Sequence, residues 1–259
     1  MEPLKTVQRL CRVIDLGCME YHAAWDVQRR LAALRAENRI VDTLLLVEHP
    51  HTYTLGRSGK IEHLLMGEAE RAEKGVQVVE VDRGGDITYH GPGQLVAYPI
   101  LYLGRADAHG HLPTADYVGY LRRLEEVLIH TVAAFGIEAR REEGYTGVWV
   151  DRPGGPEKIA AIGVRVSAGG VSTHGVALNV APDLAYFRGI IPCGIADRPV
   201  TSMQALLGSA PPMSDVQAAF TAAFAEVFGY RLAPAALGDL LPDSEKAPVK
   251  GAFDLLEQP

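Results

Sequence analysis

Cysteine is scarce in this sequence: there are three in 259 residues, and Cys11 and Cys18 lie far from Cys193. An odd, scattered set makes no disulfide framework and points to a reducing compartment, so the expected location is the cytoplasm. Long apolar runs are missing too, and none approaches the length that spans a bilayer. The first dozen residues hold no apolar signal core, and Glu2 and Pro3 suit a targeting peptide poorly. A basic excess is also lacking: 25 Lys and Arg stand against 32 Asp and Glu, a formal net charge of −7. That balance argues against nucleic acid as a partner. No glycine loop ends in Gly-Lys-Ser or Gly-Lys-Thr, and none opens a long helix, so nucleotide-phosphate signatures are absent. Neither Cys-x-x-Cys nor His-Glu-x-x-His occurs. The pairs His49–His51 and His109–His111, and the trio His90, His174 and Cys193, therefore carry no metal signature, and no cofactor is expected.

What is present is 47% hydrophobic residues, enough for one substantial core. Arg12–Leu16, Thr43–Glu48, Thr52–Leu55 and Val76–Val81 read as strands, as do Tyr145–Val150, Ile159–Val166 and Gly175–Val180. Helices are expected over Met19–Glu37, with Tyr21, Trp25, Leu31 and Leu34 inward, and over Thr114–Phe135. Gly136 stands where a left-handed cap would end the second. A third helix is expected from a capping box at Ser214-x-x-Gln217 to Gly229. Pro153-Gly154-Gly155-Pro156 reads as a flexible loop and Ser167–Gly170 as a turn. The pattern fades after Tyr230, which predicts one α+β domain over 1–230 and a proline-containing tail over 231–259.

Four segments carry candidate chemistry. The run Arg83-Gly84-Gly85-Asp86-Ile87-Thr88-Tyr89-His90, continued by Gly91-Pro92-Gly93-Gln94, lets backbone approach a ligand closely, because glycine adds no side chain. A plain irregular hairpin would read the same way. Lys158 heads the small, apolar stretch Ile159-Ala160-Ala161-Ile162-Gly163, though most lysines are simply solvated. Thr173-His174-Gly175-Val176-Ala177-Leu178-Asn179 reads as a histidine–glycine turn entering a strand, and Asn179 there needs a polar partner. Cys193 sits between Pro192 and Gly194, in a turn rather than mid-strand. A thiolate is a strong nucleophile, and a cation such as a lysine ammonium favours it, so covalent acyl transfer is the chemistry these residue types suit.

Together, in this order, the four segments resemble the lipoyl(octanoyl) transferases, over roughly residues 11–230. Glu48-His49-Pro50 and Tyr53-Thr54-Leu55-Gly56 add to the likeness. The resemblance implies mixed β-sheets with packed helices, the fold of biotin and lipoate ligases. It implies Cys193 as the nucleophile holding an octanoyl thioester, and Lys158 as the group that lowers the thiol pKa and serves as acid and base. Arg83 to His90, Ala161, Ile162, Gly163, Gly175, Val176 and Ala177 would line the substrate site, supported by His174 and Asn179. The expected donor is octanoyl-acyl carrier protein. The expected acceptors are lipoyl domains of 2-oxoacid dehydrogenases and the glycine-cleavage H protein, with no metal, nucleic acid or membrane involved. The small residues Ala160, Gly163 and Ala177 are expected to wall an acyl slot. Backbone N–H groups near Lys158–Gly163 or Gly175 are expected to hold an oxyanion. Arg57, Arg122, Arg123, Arg140, Arg141 and Arg165 are candidates for docking an acidic carrier. An ATP-dependent ligase, or a binding module without catalysis, would share much of this pattern, but neither would need Cys193.

Overall fold

The computed structural model describes residues 9–104, 114–191 and 199–241. Strand β1 (Arg9–Cys18) leads through helix α1 (Tyr21–Ala36) to β2 (Asp42–Glu48) and β3 (Thr52–Leu55). The short helix α2 (Glu68–Glu73) precedes β4 (Gln77–Glu80), β5 (Ile87–His90) and β6 (Gln94–Ile100). The long helix α3 (Thr114–Ala133) is followed by β7 (Val148–Arg152), β8 (Gly155–Val166) and β9 (Ser172–Asn179). Helices α4 (Met203–Leu207) and α5 (Met213–Phe228), strand β10 (Tyr230–Pro234) and helix α6 (Leu237–Leu240) complete the order.

Seven strands form one mixed sheet in the order β10-β1-β2-β6-β9-β8-β7, and β4-β3-β5 form a second, smaller one. The large sheet is covered on both faces. Leu44 and Leu46 of β2, Leu95 and Ala97 of β6, Leu178 of β9 and Ala160 of β8 pack with Leu124, Leu128, Phe220 and Phe224 of α3 and α5. Their neighbours in the alternation, Leu45, Val47, Val96, Tyr98, Ile100 and Ala177, face α1 through Ala24, Val27, Leu31 and Leu34. Two covered faces explain why β2 reads as an unbroken apolar run. The small sheet encloses its own cluster, built on Tyr53, Ile87, Tyr89 and Phe187.

Several sequence expectations change here. Strand β6 is not obvious in the sequence because Pro99 breaks its pattern. Proline is tolerated because the pairing of β6 with β9 ends at Ala97. The Pro153–Pro156 loop is a tight hairpin, in which Arg152 pairs with Gly155 across two residues. Ser214 is no cap: Pro212 holds the N-cap position of α5 without a side-chain bond. Gly136 and Gly229 do end their helices, at φ +78 and +70. Cys11 lies in the α3–α5 core, but Cys18 is exposed rather than a silent core residue. The fold also continues past residue 230. Strand β10 pairs in parallel with β1, so a boundary at 230 cuts the sheet. Residues 242–259, the rest of the expected tail, lie outside the described residues. No helix among the described residues is long and apolar enough to cross a membrane.

Candidate active site

A slot opens on the α1 face of the large sheet, where α1 begins at Tyr21 and the loop before β5 crosses over. It encloses about 460 Å³, the open mouth included. Ala161, Ile162 and Gly163 of β8, Gly175, Val176 and Ala177 of β9, and Val96 and Tyr98 of β6 make its floor. Gly84, Gly85, Asp86, Thr88 and His90 form the opposite wall, with Arg83, Tyr21 and His174. Small residues are required on the floor. A Cβ on Gly163 would sit 2.9 Å from Cδ of Arg83, and one on Gly175 would sit 2.0 Å from the carbonyl oxygen of Ala97.

Strand alternation sorts the expected residues of the first segment. Ile87 and Tyr89 point away from the slot into the small-sheet cluster, and the Tyr89 hydroxyl bonds His51 Nδ1 at 2.7 Å. Thr88 and His90, their alternates, face the slot. Ala160 likewise faces the α3–α5 core, leaving Ala161 as the lining alanine. Arg83 is buried and anchors its loop: its Nη2 donates to the Thr54 carbonyl at 2.7 Å and to Thr54 Oγ1 at 2.8 Å. Asp86 ties the same loop to residues 60–63. Its carboxylate accepts from the backbone N–H of Lys60 at 3.2 Å and meets His63 Nδ1 at 2.5 Å.

His174 is not in a turn. It lies within β9, paired with Val164, and its neighbour Gly175 pairs with Gly163. Cross-strand partners share a face, so His174 should point with Val164 into the α3–α5 core. Its φ of +55 turns the ring to the other face instead. That left-handed conformation costs a non-glycine residue about 1 kcal/mol. The ring is met by two partners there. Nε2 lies 2.7 Å from Asp82 Oδ1, and Nδ1 lies 3.4 Å from the Tyr21 hydroxyl.

Two chains of hydrogen bonds run from the slot wall. In the first, Arg83 donates to Thr54 Oγ1, which lies 3.4 Å from His90 Nε2. His90 Nδ1 donates to Gln94 Oε1 at 2.8 Å, and Gln94 Nε2 donates to Asn179 Oδ1 at 2.9 Å. Asn179 Nδ2 donates to the Thr201 carbonyl at 2.9 Å, and the Thr201 N–H donates to the Lys158 carbonyl at 2.9 Å. Every donor has one acceptor when His90 is neutral, and burial pushes its pKa well below the usual histidine value. The partner expected for Asn179 is thus found.

The second chain begins at His49. Its Nδ1 donates to the Met19 carbonyl at 2.7 Å, which leaves Nε2 to accept from the Tyr98 hydroxyl at 2.7 Å. Tyr98 interacts with Tyr21, which leads to His174 and Asp82. Burial lowers the His49 pKa to about 4 and lowers that of His174 despite the favourable Asp82 carboxylate. With the ring neutral and its Nε2–H donated to Asp82, His174 Nδ1 is left to accept from the Tyr21 hydroxyl.

Lys158 lies beside the slot in a groove that shares Gly84, Gly85, Asp86, Ala161, Ile162 and Gly163 with it. A bulge aims it there. Trp149 pairs with Lys158 but Val148 pairs with Ala160, so Ile159 is an extra residue. Without the bulge, alternation would put Lys158 on the same face as Ala160. Lys158 is 9% exposed, and its Nζ stands 4.7 Å from the centre of the Trp149 ring. Its backbone N–H donates to the Pro199 carbonyl at 2.9 Å. Cys193 itself lies outside the described residues, between Ile191, held by the His63 carbonyl at 2.8 Å, and this Pro199 anchor.

The structure therefore brings together Lys158, Arg83, Gly84, Gly85, Asp86, Thr88, His90, Ala161–Gly163 and His174–Ala177, with Asn179 behind them. Ile87 and Tyr89 turn away. Sequence reasoning missed Tyr98, Val96 and Asp82, and it read Tyr21 as plain core. Tyr98 in an otherwise apolar strand was the available signal. Most of the arginines expected to dock a carrier are engaged within the chain. Arg122 and Arg141 bind the buried Glu125, Arg140 binds Asp151 and Glu142, and Arg165 binds Asp82. Among the described residues no cluster of three or more His, Cys, Asp or Glu side chains is gathered as a metal would need.

The family described as Lipoyl protein ligase A/B catalytic domain matches residues 20–225, which spans every element of this site. The chain belongs to that family. Family relatives called octanoyltransferase include one from Chloroflexus aggregans, 52% identical over 86% of this chain and 97% of its own. Another, from Koribacter versatilis, is 44% identical over 93% of this chain and 94% of its own. Among solved structures, a bipartite lipoate protein ligase from Thermoplasma acidophilum superposes with a TM-score of 0.66 at 17% identity, covering 90% of each chain. A lipoate-protein ligase A bound with ATP superposes at 0.64 and 14% identity, covering 90% of this chain and 92% of that one. At such identities the likeness is one of fold: α+β, with mixed sheets and packed helices.

Proposed function

We propose that this protein transfers an octanoyl group from octanoyl-acyl carrier protein to a lysine of lipoyl domains, through a thioester on Cys193. One observation carries the reading: a mostly apolar slot and a largely buried lysine lie on the two sides of the strip Ala161–Gly163. The names of relatives at 44–52% identity support the same substrate.

In the first step the Cys193 thiolate adds to the donor's thioester carbonyl. The bond to the carrier's sulfur breaks, and the departing thiolate takes a proton from the Lys158 ammonium. In the second, the acceptor lysine's amine adds to the new thioester and the bond to Cys193 breaks. Lys158 takes up the amine's proton, which returns both residues to their starting state. Thioester exchange is near balance and amide formation is downhill, so no ATP is consumed. The donor and acceptor proteins dock at the mouth in turn.

The test is intact-mass spectrometry after mixing with octanoyl-acyl carrier protein, without ATP. Wild type gains one octanoyl group, lost to hydroxylamine or to a lipoyl domain, while Cys193→Ser gains none. Lys158→Ala slows both steps by at least a hundredfold. Transfer that occurs only after adding ATP turns the reading to a ligase.

A further inference from the structure

The slot has a direction. Its mouth, at Gly84, Gly85 and Ala161–Gly163, is half-exposed and opens onto the Lys158 groove. Its other end is closed by Tyr21, Tyr98 and His174, which are 1%, 3% and 1% exposed. We infer that these three side chains are the end-stop of the acyl slot and set the length of chain the enzyme accepts. This rests on the acyl-transfer reading given above.

Register fixes the depth. From mouth to end the floor crosses from Ala161 of β8 to Ala177 of β9 and on to Val96 of β6, successive partners across the sheet. That is two strand spacings, about 10 Å. An extended eight-carbon acyl chain has a comparable length when its carbonyl stands at the mouth, beside Lys158. A longer chain would press its methyl end against the tyrosine rings.

The wall resists that pressure because its members are bonded to one another. Tyr98 is held by His49, which is held by the Met19 carbonyl, and the Tyr21 hydroxyl meets His174 Nδ1 at 3.4 Å. His174 is held by Asp82 on one side, and its backbone N–H donates to Gln28 Oε1 at 2.7 Å. Rings pack behind the hydroxyls: Tyr21 is tilted against His49 at 5.0 Å and stacked on His90 at 5.6 Å, centre to centre. Displacing either tyrosine strands buried polar groups without partners, so the wall does not yield as an aliphatic end would. A shorter chain fits but leaves empty volume and gives up contacts.

The experiment measures kcat/KM for full-length protein with six-, eight-, ten- and twelve-carbon acyl carriers and a lipoyl domain as acceptor. Wild type is expected to lose about tenfold or more per two carbons beyond eight. Tyr21→Ala and Tyr98→Leu should each raise the ten-to-eight-carbon ratio at least tenfold. Tyr98→Phe, which keeps the ring, should leave that ratio within threefold of wild type. The inference is overturned if wild type handles twelve carbons as well as eight, a result that needs no variant to fold. It is equally overturned if a folded Tyr21→Ala or Tyr98→Leu keeps the wild-type ratio. Absence of any octanoyl transfer by wild type would instead sink the acyl-transfer reading itself.

Discussion

Two histidine–glycine pairs look alike in this sequence and are built differently. His90 ends the regular strand β5, and the chain then turns through Gly91-Pro92-Gly93. His174 lies inside β9 in a left-handed conformation, with the ladder continuing on both sides. Both rings reach the slot wall and both are kept neutral by burial. Their connections run opposite ways. His90 is linked through Gln94 and Asn179 to the strand that bears Lys158, whereas His174 is linked through Tyr21 to the closed end. One histidine ties the slot to the reacting end and the other ties it to the far wall. Ordinary alternation is enough for the first; the second required a strained backbone.

The comparison breaks most severely if the His90 chain is cut. Asn179→Leu removes the acceptor of one Gln94 amide N–H and the side-chain donor to the Thr201 carbonyl, both buried, at about 3 kcal/mol in all. A urea titration should show that loss, with the m-value unchanged. Because the Thr201–Lys158 pairing follows from Asn179, kcat should fall more than KM changes. An Asn179→Leu protein as stable as wild type would show that the chain is ornament.

His49 gives the next effect, in pH. Its folded pKa of about 4 lies below the ordinary value of 6.5. Between those values the unfolded chain binds a proton that the native state does not. Stability is therefore full above about pH 6.5 and falls as pH drops towards 4, by up to about 3 kcal/mol for this residue alone. Denaturant midpoints measured from pH 7.5 to 4.5 should fall along this course. The slope should shrink in His49→Gln, which has no proton to take up.

The backbone contrast itself can be read with four variants. At position 174, Gly should be more stable than Ala by about 1 kcal/mol, because glycine accepts the left-handed conformation freely. At position 90 the order should reverse, with Ala ahead of Gly by about 0.5–1 kcal/mol. The same order at both sites would remove the strain at His174. The smallest effect belongs to the surface. Arg140→Ala breaks exposed pairs with Asp151 and Glu142, and thermal unfolding should scarcely move.

Much of the scaffold was legible because it follows periodicity. The helices α1, α3 and α5 show apolar stripes at steps of three and four, β2 and β8 show apolar runs, and β3 alternates. Strand β6 hid behind Pro99, whose tolerance depends on where a neighbouring strand stops. Strand β10 hid because an edge strand of five residues needs little apolar pattern. Within the site, the glycines and alanines of the floor and the lysine at its rim were legible as composition. Ile87 and Tyr89 were misread because residues of one motif alternate between two faces once the motif becomes a strand.

The sequence by itself determined which residue types the site contains, their order along the chain and the family to which they belong. Those are local facts, written in small side chains, turns and a lysine before an apolar stretch. Only the tertiary structure decided which of them meet. The bulge at Ile159 turns Lys158 from one face of the sheet towards the groove, and the positive φ of His174 turns its ring the same way. Tyr21 and Tyr98 join the wall although 77 positions separate them (98 − 21 = 77). Such choices rest on cross-strand register and shared hydrogen bonds, which link residues distant in sequence and leave no periodic mark on the chain.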